Sequence, residues 1–198
     1  MASPLLNSLK QADLLPSKAI PENFTPTFDL TVHFPGSEAP ISNGTLVRVS
    51  QVSQAPSISI FATASAPPND PVKPTRLTLL LIDPDAPTPD DPKFAYWRHW
   101  VVTGIPAPSG PEASAVEAGR TLTTYLAPGP KDESGPHRYL FLVFAEPEGL
   151  GLEKGDVGGE EFVERRSFGI DGFVQRHGLR LVGVQWMRGV GDGWKGAE

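Results

Sequence analysis

The chain has 198 residues, is 39% apolar and 20% charged, and carries a formal net charge of −6. That length suits one domain with a real core, and the acidic balance excludes a general binder of nucleic acid or of anionic membranes, both of which call for a surplus of Lys and Arg. There is no cysteine, which removes disulfides, thiolate metal sites and a cysteine nucleophile.

Residues 3–15 read as a helix, with Ser3 as cap, Pro4 in the first turn, and Leu5, Leu6, Leu9 and Ala12 forming an apolar side that Pro16 ends. The first 16 residues have neither a basic opening nor a long apolar run, so they are not a secretory signal. The expected location is cytoplasmic, with a vacuolar or membrane-peripheral one as the alternative. Strands are expected at 28–34, 45–49 and 57–62, and a proline-rich loop at 66–74. The run 77–82 is apolar on both faces and reads as a buried central strand, followed by similar strands at 97–103 and 139–145. It is far too short to span a bilayer. Residues 106–120 form a connection with one helical turn near 112–118, and glycine-rich 146–160 a long mobile loop. Asp171 caps a short helix through His177 that Gly178 stops, 181–187 is the last strand, and 189–198 has the composition of a frayed tail. The 22 prolines and 20 glycines are spread along the chain, which fits many turns between short strands. The reading is a single mostly-β domain over 1–198: two packed sheets, or a sheet covered by helices.

Chemistry concentrates in two segments. Asp83-Pro84-Asp85-Ala86-Pro87 runs on to Trp97-Arg98-His99-Trp100, and Pro128-Gly129-Pro130 runs on to Gly135-Pro136-His137-Arg138-Tyr139. Asp83 ends an apolar strand on the face of Leu77, Leu79 and Leu81. Its carboxylate serves either an Asx-type turn or a site at the rim of the core. His99 shares a face with Trp97 and Val101, either as a satisfied core group or as a ligand. His137 and Tyr139 share a face by the period of two, so the imidazoles and the phenol can form a small cup that donates to an anion. Arg138 points the other way, toward an ion pair with Asp85. His33 and His177 are given structural roles. Asp83, His99 and His137 could also converge on a metal as a hydrolase would need, but HExxH and GxSxG are both absent. No metal, cofactor or catalytic residue is expected.

These two motifs closely resemble those of the phosphatidylethanolamine-binding protein family over about residues 77–145, with weaker similarity over 24–62 and 162–187. The resemblance implies an antiparallel β-sandwich with a few short peripheral helices. It implies an anion pocket made by Asp83, His99, Gly129, Pro130, His137 and Tyr139, supported by Pro84, Asp85, Trp97 and Pro128. The implied ligand is a phosphate or a phospholipid headgroup of the phosphatidylethanolamine kind, with at most peripheral membrane contact. The opening of the chain is similar to that of the family's fungal carboxypeptidase Y inhibitors. That implies a non-enzymatic inhibitor whose N-terminal segment, with Leu5, Leu6 and Leu9 as contacts and Ala2 acetylated after removal of Met1, enters a serine carboxypeptidase. The alternative within the family is a signalling scaffold for kinases or small GTPases. Mammalian members continue into a C-terminal helix that sets an aromatic beside the pocket; this chain stops soon after Trp186, so that gate is expected to be absent or replaced.

Overall fold

The computed structural model describes residues 3–63 and 74–196. Met1, Ala2 and all but Pro74 of the expected loop 66–74 lie outside the described residues. The chain forms two sheets. The larger has six strands in the order β2-β9-β8-β4-β5-β7: β2 Thr45–Arg48, β4 Arg76–Asp83, β5 Trp97–Pro106, β7 Arg120–Thr123, β8 His137–Ala145 and β9 Arg180–Val190. The smaller has three strands, β1 Phe28–His33, β3 Ser57–Ala62 and β6 Ser114–Ala115, in the order β1-β3-β6. All pairs are antiparallel except β2 with β9, which is parallel.

β4 and β8 are apolar on both faces because both faces are covered. Leu77, Leu79, Leu81, Phe141 and Val143 pack against Ile58, Ile60, Leu30 and Val32 of the small sheet. Leu80, Ile82, Leu140, Leu142 and Phe144 face an outer layer built from residues 9–24 and the helix α3 Ile170–Arg176. The alternation of side chains along a strand thus divides one run of hydrophobics between two cores.

Several expectations change. The first helix, α1 Pro4–Gln11, is shorter than 3–15, and Ser3 makes no side-chain cap bond. Asp13 adopts a left-handed φ of 53° and turns the chain. Residues 106–120 hold a 3-10 turn at Val116–Ala118, preceded by the small strand β6. The 146–160 stretch is anchored, not loose: Leu152 and Val157 are buried, and α2 Lys154–Val157 lies within it. Asp171 sits inside the first turn of α3 and does not cap it; the cap position is Gly169. The tail is not frayed at 189–194. β9 continues to Val190, Arg48 donates to the carbonyls of Gly191 and Trp194 at 3.2 and 2.7 Å, and Asp132 accepts from the Gly193 N–H at 3.0 Å.

Candidate functional site

β4 runs antiparallel to both of its neighbours, so its C-terminal end lies beside the beginnings of β5 and β8. Asp83 pairs with Trp97, and Ile82 with Leu140. The two sequence motifs therefore meet at one edge of the large sheet. There they line a cavity of about 540 Å3 with Asp83, Trp97, His99, Gly129, Pro130, His137 and Tyr139 on its wall. Of the supporting residues Trp97 lines this cavity, Pro84 lines a neighbouring cleft, and Asp85 and Pro128 are buried outside the cavity lining.

The predicted face of His99 is only half right. The pairing of β4 with β5 shifts between Leu81–Trp100 and Ile82–Arg98 and steps over His99. Such a bulge breaks the alternation. Val101 consequently packs in the outer layer, while His99 turns toward Tyr139 with ring centroids 5.3 Å apart, edge to face. His137 and Tyr139 do share a face, their rings nearly parallel at 6.3 Å.

Hydrogen bonds set the roles of these groups. His137 Nδ1–H donates to Asp83 Oδ2 at 2.8 Å, and Asp83 Oδ1 accepts from the Asp85 N–H at 2.6 Å. Asp83 thus makes the Asx-type turn and orients an imidazole at once. His99 Nδ1–H donates to the Leu126 carbonyl at 2.7 Å. Burial lowers the pKa of His99, opposed by the Asp83 charge, so the ring is held neutral. Burial, followed by the charges of Asp83 and Asp85 and by the nearness of the Asp83 carboxylate to the hydroxyl, raises the Tyr139 pKa well above its usual value, so the phenol keeps its proton. Among the described residues, Trp97 Nε1, His137 Nε2 and Tyr139 Oη are buried with no partner in hydrogen-bonding geometry. The indole and phenol are donors, and His137 Nε2 becomes one when the ring carries both protons.

Asp83 already has both carboxylate oxygens engaged in this way, and His99 its Nδ1. Among the described residues no group of three or more His, Asp or Glu is placed to hold a metal ion. Arg138 does pair with Asp85: its Nε and Nη2 donate at 2.9 and 2.5 Å, its backbone N–H at 2.7 Å, and its Nη1 reaches the Ala12 carbonyl at 2.7 Å. The N-terminal segment is thereby tied to the back of the cavity. Leu5 and Leu6 are half-buried and Leu9 is fully buried in the outer layer. The helix therefore packs on its own sandwich, and Leu9 reaches a partner only if α1 lifts away.

Sequence reasoning missed Phe94, Leu126, Lys131 and Phe162, which also line the cavity. Phe162 stands 68% exposed at the mouth and meets the Trp97 ring at 4.7 Å, an aromatic beside the pocket supplied from within the chain. An apolar pair, Phe162-Val163, set between Glu161 and Glu164 was the available signal.

Comparison with known proteins bears on the family and the fold. The family described as PBP: Phosphatidylethanolamine-binding protein matches residues 35–184. The chain is 34% identical over 123 residues to Protein MOTHER of FT and TFL1 homolog 2 of Oryza sativa subsp. japonica, covering 62% of this chain and 60% of that one. It is 30% identical over 118 residues to an uncharacterized protein of Saccharomyces cerevisiae, covering 56% and 58%. It thus spans about three-fifths of the length of these relatives. In fold it is similar to a carboxypeptidase Y inhibitor in complex with its cognate proteinase, with a TM-score of 0.78, 23% identity, and 94% and 95% of the two chains covered. No helix among the described residues is long and apolar enough to cross a membrane.

Proposed function

Since the chain belongs to the phosphatidylethanolamine-binding protein family, we propose that its cavity binds a phosphate-bearing headgroup without transforming it. One observation carries this reading: three residues lining a single cavity, Trp97, His137 and Tyr139, each hold a buried polar atom without a protein partner. An unmet buried donor costs about 1–3 kcal/mol, and an oxyanion with several acceptor lone pairs would satisfy more than one at once. The non-catalytic part of the reading is supported by Asp83, whose two oxygens are already engaged. Phosphorylethanolamine should raise the melting midpoint in proportion to the logarithm of its concentration above Kd. A midpoint indifferent to it at millimolar concentration contradicts the reading.

The similarity to a carboxypeptidase Y inhibitor favours a second, compatible role. The N-terminal segment would inhibit a serine carboxypeptidase, with Leu5, Leu6 and Leu9 entering a groove after α1 detaches. Inhibition of carboxypeptidase Y by the N-acetylated chain, lost on removal of residues 1–16, supports this role. Equal inhibition by both forms excludes the segment.

A further inference from the structure

Three large apolar side chains are exposed among the described residues: Phe61 at 36%, Phe162 at 68% and Val163 at 57%. The last two are adjacent on one 3-10 turn, Phe162–Glu164, at the mouth of the cavity. Soluble surfaces carry single apolar residues without consequence; a contiguous pair beside a binding site marks a contact surface.

The turn is presented, not frayed. The next residue, Arg165, is 5% exposed, and its guanidinium donates to the carbonyls of Glu160, His99 and Thr124 at 2.9, 3.1 and 2.9 Å. The Arg165 carbonyl accepts from the Arg98 N–H at 2.7 Å, and the Glu161 N–H donates to Glu164 at 3.0 Å. The exposed pair is therefore fixed to the strand that carries His99. Trp97 joins Phe162 to Phe94 across the mouth, at 4.7 and 6.4 Å between centroids. Two cations sit over Phe94, the Arg166 guanidinium at 4.7 Å and Lys93 Nζ at 5.9 Å.

From inside outward the site thus runs from buried polar atoms to an aromatic mouth, where Arg166 and Lys93 lie over Phe94, and then to an exposed apolar pair bracketed by Glu161 and Glu164. That order matches a phospholipid at a bilayer surface, with its headgroup next to acyl chains and cationic side chains at phosphate level. A protein groove would complement the pair but would leave the polar cavity behind it without a guest. We infer that the Phe162–Val163 turn inserts into the interface of a zwitterionic phospholipid bilayer, so that the cavity takes a headgroup while its lipid stays in the membrane. The inference rests on the headgroup reading of the cavity. With a net charge of −6 the attraction is carried by apolar insertion, so it is insensitive to salt.

The absence of cysteine makes the test direct. A polarity-sensitive fluorophore on Val163→Cys should shift to the blue with vesicles of equal parts phosphatidylcholine and phosphatidylethanolamine, and not with soluble phosphorylethanolamine. Val163 does not line the cavity. Val163→Asp should therefore keep wild-type affinity for phosphorylethanolamine yet bind these vesicles about tenfold or more weakly, alike at about 0.1 and 1 M salt. Wild-type vesicle binding by Val163→Asp, or a label without a blue shift, overturns the inference. So does a Val163→Asp variant that loses carboxypeptidase inhibition and keeps vesicle binding, which makes the turn a protein contact. If the wild type ignores phosphorylethanolamine but shows vesicle binding that depends on Val163, the headgroup reading fails and the insertion stands.

Discussion

His137 Nδ1 and Asp83 Oδ2 lie 2.8 Å apart with both side chains 4% exposed, and this pair joins the two motifs that form the cavity. Removing His137 leaves Asp83 Oδ2 buried and unmet, and removing Asp83 does the same to His137 Nδ1. His137→Ala should therefore lower stability by about 1–3 kcal/mol through the abandoned carboxylate, besides weakening anion binding. Urea unfolding monitored by tryptophan fluorescence measures the loss. A variant as stable as the wild type would mean that the bond contributes nothing in solution.

Arg138 holds Asp85, whose side chain is 1% exposed, and also holds the Ala12 carbonyl at the end of α1. Arg138→Met keeps the aliphatic stem and strands the carboxylate. It should cost about 3 kcal/mol and speed amide exchange in residues 5–12 more than elsewhere. Uniform acceleration along the chain would show that Arg138 supports the sandwich without specifically fastening α1.

Leu79 is fully buried between the two sheets. Leu79→Ala should cost about 2–5 kcal/mol through the cavity it leaves. A melting midpoint within a degree of the wild type would mean that this strand can collapse around the loss.

Burial depresses the pKa of His99 below its ordinary 6.5. As pH falls through 6.5, the unfolded chain takes up a proton that the folded chain refuses. Stability therefore falls with pH from about 6.5 down to the depressed folded value and then levels. His99→Gln should flatten that limb of the profile. Parallel profiles for the two proteins between pH 7 and 5 would place the acid sensitivity elsewhere.

Glu160 is held down to about pKa 2, first by the Thr124 hydroxyl and then by the Thr124 N–H. Its contribution is fully present above its ordinary 4.5 and is lost as pH falls toward 2. The side chain is 28% exposed, so solvent keeps the gain at or below about 1 kcal/mol. The stability difference between wild type and Glu160→Gln should shrink over that range; a constant difference would contradict the assignment.

The strand cores and the cavity's inner wall were legible because alternation alone places Leu77, Leu79, Leu81 and Asp83 on one face and His137 with Tyr139 on another. The Asp85–Arg138 pair followed from the same alternation. The bulge at His99 was not legible, since a register shift leaves no trace in the hydrophobic pattern. The order of residues 189–194 also escaped, because it depends on parallel pairing of Met187–Val190 with Thr45–Arg48 and on bonds from Arg48 and Asp132, all distant in the chain, and glycines there carry no apolar signal. Phe162 reaches the mouth through bonds made by Arg165 to its own segment at Glu160 and to two distant ones at His99 and Thr124, which no local pattern encodes.

The most direct test is a calorimetric titration of phosphorylethanolamine into the wild type and into Tyr139→Phe, which keeps the ring and the packing and removes only the hydroxyl that has no partner in hydrogen-bonding geometry. The account predicts one saturable site in the wild type and affinity about tenfold weaker in the variant, with the free variant at least as stable as the free wild type. No saturable heat in the wild type, or equal affinity in both, would contradict it.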